Sequence, residues 1–213
     1  GHGLFESIRY FQGEFPLQSR HLARIQNDAD HLGIRIPLSR LSSALSAFKD
    51  ILLKQCILSG VVKIIVTAGS GGRGYESLGA DTPRIIFRHS VSPSDLHEYR
   101  NLGISLWRCD QPLAASSQLA GIKHLNRIEQ VLAANESHSS DCQDGLMMDV
   151  DGLIVETTRA NVFFRKTSGD WVTPDLNSCG VSGVMRSLLI EEIFPLMGIS
   201  PRIGLIKISD IEE

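Results

Sequence analysis

Residues 146–156 read LMMDVDGLIVE, in which two apolar runs, LMMDV (146–150) and LIVE (153–156), flank Asp151-Gly152. An Asp-Gly pair in that setting marks a tight hairpin, because both turn positions must tolerate a left-handed backbone. The stretch predicts an antiparallel sheet, to which NVFFRK (161–166) and WVTP (171–174) add strands. Helical patterns precede and follow it. In LNRIEQVLAANE (125–136), Leu125, Ile128, Val131 and Leu132 fall on one face; in GVSGVMRSLLIEEIF (180–194), Val184, Leu188 and Ile193 fall on a helical face behind Ser182-Gly183, with Gly198 as the stop.

Further upstream, LFESIRY (4–10) reads as a strand and Gln12-Gly13 as its turn, followed by SRHLARIQNDADHLGI (19–34), whose Leu22, Ile25, Ala29 and Leu32 have helical spacing. A second helix, LSRLSSALSAFKDILLKQCILSG (38–60), is expected to end at Gly60 and to lead into the β-branched run VVKIIVTAG (61–69) and the glycine cluster GSGGRG (69–74). RIIFRHS (84–90) is a strand, SPSDLHEYRNLG (92–103) a short helix and ISLWRCD (104–110) a strand. The irregular stretch after it gives a division into a smaller domain at 1–110, a linker at 111–118 and a larger, sheet-rich domain at 119–213. The class is α+β.

Of the 213 residues 42% are apolar and 21% charged, and 21 Lys+Arg against 24 Asp+Glu give a net charge of −3. No Lys/Arg block offers a footprint for nucleic acid. The longest apolar stretches run to a few residues where a membrane-spanning helix needs about 20, and GHGLFESIRY opens without a charged and apolar leader, so neither membrane nor secretion is expected. Cys56, Cys109, Cys142 and Cys179 form no CxxC, which points to reduced thiols in the cytoplasm. His138 with Cys142 lacks the second pair that a metal site needs, so no metal is expected.

Several residues invite chemistry. GSGGRG lacks the Gly-Lys-Ser/Thr ending of a nucleotide-binding loop; it reads either as a flexible turn or as a loop that lets backbone and Arg73 approach an anion. Lys123 stands just ahead of the 125–136 helical pattern, where the positive helix end would favour a neutral, nucleophilic amine; a solvated lysine is the plainer alternative. Glu156 closes an apolar strand, so its carboxylate is expected to be buried, facing either Arg159 or Arg165 or a protonated heterocycle. Arg24, a guanidinium fork, and the N–H groups of Gly183 and Val184 at a helix start suit a phosphate.

GHGLFESIR (1–9), GSGGRGY (69–75), AGIKHLNRIEQVLA (120–133), VETTRANVFF (155–164) and GVSGVMR (180–186) together resemble, in order along the chain, the motifs of the 4-amino-4-deoxychorismate lyase family. That family belongs to the fold-type IV pyridoxal-phosphate enzymes, with the branched-chain and D-amino-acid aminotransferases. The resemblance implies that Lys123 holds the cofactor covalently and that Glu156 faces its pyridine nitrogen. It also implies that Arg24, in the pattern His21-x-x-Arg24, binds the phosphate with the backbone at Gly183, Val184 and Met185, that Asn161 belongs to the cofactor site, and that Arg73 and Tyr75 receive a substrate carboxylate. Gly1-His2-Gly3, Thr67-Ala68-Gly69 and Pro112-Leu113 depart from the family's Gly-Asp-Gly, Thr-Arg-Gly and Arg-Leu.

The resemblance further implies conversion of aminodeoxychorismate to 4-aminobenzoate and pyruvate in folate biosynthesis, by a homodimer with its cofactor between two domains. The alternatives are an aminotransferase of D- or branched-chain amino acids on the same fold and a non-catalytic binding protein. Beside family motifs, the chain is expected to be truncated at both ends, since it opens inside the first motif and stops at SDIEE.

Overall fold

Along β1 (Gly3–Phe11) every second residue is buried, so Leu4, Glu6, Ile8 and Tyr10 share one face. Two helices cover it, α1 (Gln18–His31) and α2 (Leu38–Lys54), through Leu22, Ile25 and Ala29 of the first and Leu41, Leu45 and Leu52 of the second. β2 (Ser59–Thr67) contributes Val62, Ile64 and Val66 to the same core, and pairs antiparallel with β1 and with β3 (Arg84–Ser90) in the order β1-β2-β3. These coordinates are a computed structural model, and they describe residues 1–76, 82–94, 96–136 and 141–211.

α2 stops at Lys54, before the expected Gly60, because Cys56 turns into the left-handed region (φ 56°) and Ile57 N–H returns to Leu52 O. Gly60 has a different use. It pairs with Tyr10 inside the sheet, where a Cβ would stand 2.2 Å from His89 Nε2 and 2.5 Å from Ser90 O.

The remaining elements are α3 (Leu96–Leu102), β4 (Ser105–Arg108), α4 (Ile128–Ala134), β5 (Cys142–Met148), β6 (Ile154–Thr157), β7 (Phe164–Arg165), β8 (Trp171–Pro174), α5 (Val184–Leu188), α6 (Phe194–Leu196) and β9 (Arg202–Gly204). The hairpin forms between β5 and β6 through a longer turn than a two-residue one: Asp149 Oδ1 accepts the N–H groups of Asp151 and Leu153, and of the Asp-Gly pair only Gly152, at φ 75°, is left-handed. The sheets around it are mixed, however: β4 runs parallel to β5, and β8 parallel to β9. Both faces of β5 are covered, Met147 in one core with Val155, and Leu146 and Met148 in another with Ile154. That explains a continuous apolar run where a one-sided strand would alternate.

Two expected helix faces are corrected. On α4, Ile128, Val131 and Leu132 are each at least half exposed, and the inward face is Glu129, Ala133 and Glu136, whose carboxylates accept N–H groups of Ala114, Asp110 and Gln111. Ile193 is exposed because nine residues from Val184 make about two and a half turns. A π-turn over Leu189–Ile193 then brings Phe194 to the rings of Phe163 and Trp171, 5.3 Å between centroids in each case.

By contacts the chain forms two units, Gly1–Asp95 with Lys123–Asn126, and Leu96–Ile122 with Arg127–Glu213. The stretch 111–118 is irregular but not loose: Leu113 N–H reaches Met148 O at 2.8 Å and Ser116 N–H reaches Ser178 O at 2.7 Å, both within the second unit. No helix among the described residues is long and apolar enough to cross a membrane.

The four cysteines are unpaired. Burial, with nearby carboxylates, pushes the thiols of Cys109 and Cys179 up to about 11. Iodoacetamide at pH 7.5 is therefore expected to label exposed Cys56 and to leave Cys109 and Cys179 unmodified in the native protein, as read by peptide mass spectrometry.

Candidate active site

Lys123 sits on an extended segment rather than at a helix end. Phe5 N–H donates to Lys123 O at 3.0 Å, Leu4 bridges His124 antiparallel, and Leu125 N–H donates to Gly3 O at 2.9 Å. The lysine's own N–H donates to Asp28 Oδ2 at 2.9 Å, and its Nζ lies 4.5 Å from the centroid of the Phe5 ring. α4 begins only at Ile128, beyond the single turn over which a helix end acts. The expected dipole effect on Lys123 is thus withdrawn.

Arg24 and His21 both turn to Glu6, which the sequence reading passed over. Arg24 Nη2 donates to Glu6 Oε2 at 2.8 Å and Nε to Oε1, while His21 Nδ1 lies 2.8 Å from Oε2. Glu6 is 1% exposed. Burial alone would raise its pKa, but the hydrogen bonds and charge of His21 and Arg24 outweigh it and hold the carboxyl below its ordinary 4.5. The signal was present: in the alternation Leu4, Glu6, Ile8, Tyr10 an acidic side chain occupies a core position.

A carboxyl with a lowered folded pKa contributes stability that is complete above its unfolded value and is lost as the pH falls through the folded one. Melting temperature is therefore expected to drop as pH is taken below about 4.5. Glu6→Ala should destabilise the neutral protein by about 3–5 kcal/mol, as for a buried pair deprived of one partner. It should also remove that part of the acid slope, which thermal melts between pH 7 and pH 3 measure.

In the second unit all of β6 is buried, and Glu156 Oε2 accepts Val181 N–H at 2.9 Å and a longer contact from Asn161 Nδ2 at 3.5 Å. Asn161 Nδ2 also donates to Val181 O at 2.8 Å, and a Cβ on Gly183 would stand 2.0 Å from Asn161 Oδ1 and push that amide aside. Gly183 precedes α5, whose opening N–H groups at Val184 and Met185 have no acceptor inside the helix. Arg159 is not the partner of Glu156. Its Nε lies 3.4 Å from Asp144 Oδ2, a buried carboxylate that also accepts the hydroxyls of Thr157 and Thr158, and Arg165 makes no ion pair with Glu156.

Lys123, Arg24 and their supports thus belong to one unit, and Glu156, Asn161, Gly183, Val184 and Met185 to the other. Arg73 and Tyr75 are exposed on the glycine loop. His2, where the family motif has aspartate, places Nε2 2.8 Å from Leu32 O, and Ala68 N–H donates to His2 O at 3.1 Å. His138 lies outside the described residues. Asp28 was the second omission: in the run 19–34 only the apolar positions were singled out.

Residues 3–213 match the family model described as amino-transferase class IV. The chain is 34% identical over 194 residues to the aminodeoxychorismate lyase of Vibrio harveyi, across 90% of this chain and 69% of that protein. In structure it is similar to 4-amino-4-deoxychorismate lyase from Pseudomonas aeruginosa, with TM-score 0.90 and 36% identity over 98% of this chain and 74% of that one. The PLP-bound form of a hypothetical aminotransferase from Mycobacterium tuberculosis, 19% identical, shares the fold with TM-score 0.83 over 99% of this chain and 74% of that one.

Proposed function

Because this chain belongs to the amino-transferase class IV family, we propose that it is a pyridoxal-phosphate-dependent lyase that converts 4-amino-4-deoxychorismate to 4-aminobenzoate and pyruvate. One observation carries the reading: a lysine, a buried carboxylate and helix-opening amides occur in family order on a chain similar over most of its length to two aminodeoxychorismate lyases. By its chemistry each donor suits one group of the cofactor. A primary amine at Lys123 suits its aldehyde, the buried Glu156 carboxylate a protonated pyridine nitrogen, and Arg24 with the N–H groups of Val184 and Met185 its phosphate. Asn161, wedged against Gly183, ties the Glu156 strand to that helix start.

When bound, pyridoxal phosphate supplies an electron sink for the carbon that bears the substrate amine. Lys123 Nζ takes the proton from that ring carbon. Glu156 keeps a proton on the pyridine nitrogen. With the cofactor bound, the ring carbon–oxygen bond to the enolpyruvyl group would break, the released enolate would take up a proton to leave as pyruvate, and the ring would become aromatic, so no second keto acid would be consumed. Arg73 and Tyr75 are assigned to a substrate carboxylate, and a guanidinium can grip it with two parallel hydrogen bonds.

The same reading makes the protein a cytoplasmic homodimer of the folate pathway, for which light scattering on purified protein tests the assembly. Arg73→Ala is expected to lower kcat/KM for aminodeoxychorismate about 30-fold to several thousand-fold without changing the cofactor spectrum, with Arg73→Lys recovering only part. The defining assay supplies aminodeoxychorismate with no keto acid and measures 4-aminobenzoate and pyruvate. Equal amounts of both support the lyase. Turnover that requires an amino acid and a keto acid together replaces it with the aminotransferase, and a purified protein that takes up no pyridoxal phosphate replaces both with a binding role.

A further inference from the structure

We infer that Asp28 is a positioning residue, which fixes the backbone of Lys123 against the α1 face that carries Arg24. The inference rests on Lys123 being the reactive amine. Asp28 follows Arg24 by four residues and His21 by seven, so the three polar side chains share one face of α1, interleaved with Leu22, Ile25 and Ala29. Asp28 is 8% exposed, and a carboxylate that deep is unfavourable unless hydrogen-bonded.

One oxygen of Asp28 accepts the main-chain N–H of Lys123 at 2.9 Å, while Phe5 N–H holds the Lys123 carbonyl at 3.0 Å. Both backbone polar groups of the lysine are therefore held, one by a helix and one by a strand. The flexible four-carbon stem leaves from a fixed point, and its Nζ reaches the Phe5 ring at 4.5 Å. Because Arg24 and Asp28 are separated by a rise of about 6 Å along one rigid helix, the phosphate-binding guanidinium and the amine are set by the same element. An error of about 1 Å at a reacting group can lower a rate about a hundredfold, so such indexing has kinetic consequences.

The test uses the full chain with Asp28→Ala and Asp28→Asn. Hydrogen–deuterium exchange of the Lys123 amide, measured without cofactor, should quicken by about tenfold or more in Asp28→Ala, while amides in the centre of β2 keep their protection. With cofactor, kcat should fall about 10- to 100-fold with a smaller change in KM, and Asp28→Asn, which keeps an acceptor oxygen at the same place, should recover most of both effects. Unchanged exchange at Lys123 in Asp28→Ala overturns the inference, as does an Asn variant no better than Ala, or faster exchange with an unaltered kcat. If Asp28→Ala does not fold, Asp28→Asn decides: near-normal exchange and kcat support the role, and loss of either overturns it. Failure of the lyase reading shows separately, in a wild-type Lys123 that forms no bond to pyridoxal phosphate.

Discussion

Lys123→Ala is expected to lose turnover by roughly ten-thousand-fold, since the variant has no amine at that position to hold the cofactor or to move the proton. The fold should survive the change. What fixes residue 123 is its backbone, through the Asp28 carboxylate and the Phe5 N–H, and alanine keeps both partners. The contact of Nζ with the Phe5 ring disappears, worth about 0.5–2 kcal/mol. Borohydride reduction of the wild-type protein with pyridoxal phosphate, followed by peptide mapping, should place the label on Lys123 and find none in the variant. A label on Lys54, Lys63, Lys166 or Lys207 would overturn the assignment.

Glu156→Gln should keep the cofactor and the fold yet lower kcat about 100- to 1000-fold. The amide oxygen of glutamine can still accept Val181 N–H, so the strand and the turn behind it stay joined. An amide cannot balance the charge of a protonated pyridine nitrogen, and the electron sink weakens with it. Glu156→Ala makes a useful contrast, because it strands a buried N–H at a cost of about 1–3 kcal/mol and should lower the melting temperature as well. Activity of Glu156→Gln within a few-fold of wild type would make Glu156 a structural acceptor for Val181 and nothing more.

Much of the architecture could be read from local pattern. The strands at 4–10, 61–67 and 84–90 show themselves by β-branched residues and alternation, and the Asp151-Gly152 turn by its chemistry, because those signals depend on neighbours in sequence. What escaped depends on distant partners. Nothing near Asp28 announces that a backbone N–H ninety-five residues away will meet it. The inward face of α4 is polar because Glu129 and Glu136 there accept the main-chain N–H groups of Asp110, Gln111 and Ala114, so an apolar stripe of Ile128, Val131 and Leu132 pointed the reading the wrong way. Lys123 was chosen with an incorrect local reason, a helix that starts too late, and Glu156 with a correct one, an apolar strand that ends in a carboxylate.

The brief return of residues 123–126 to the first unit has a consequence for how the chain is made. During synthesis the first ninety-five residues emerge with β2 and β3 in hand, but the far edge of β1 has to wait for its partner until residue 126 has left the ribosome. For that interval the nascent chain exposes an unpaired row of backbone donors and acceptors beside Gly3, Leu4 and Phe5, the kind of edge on which other chains add. A messenger that slows translation while residues 96–126 are still inside the ribosome should therefore yield more aggregate than one that slows it once residue 126 is clear of the exit, from the same protein sequence.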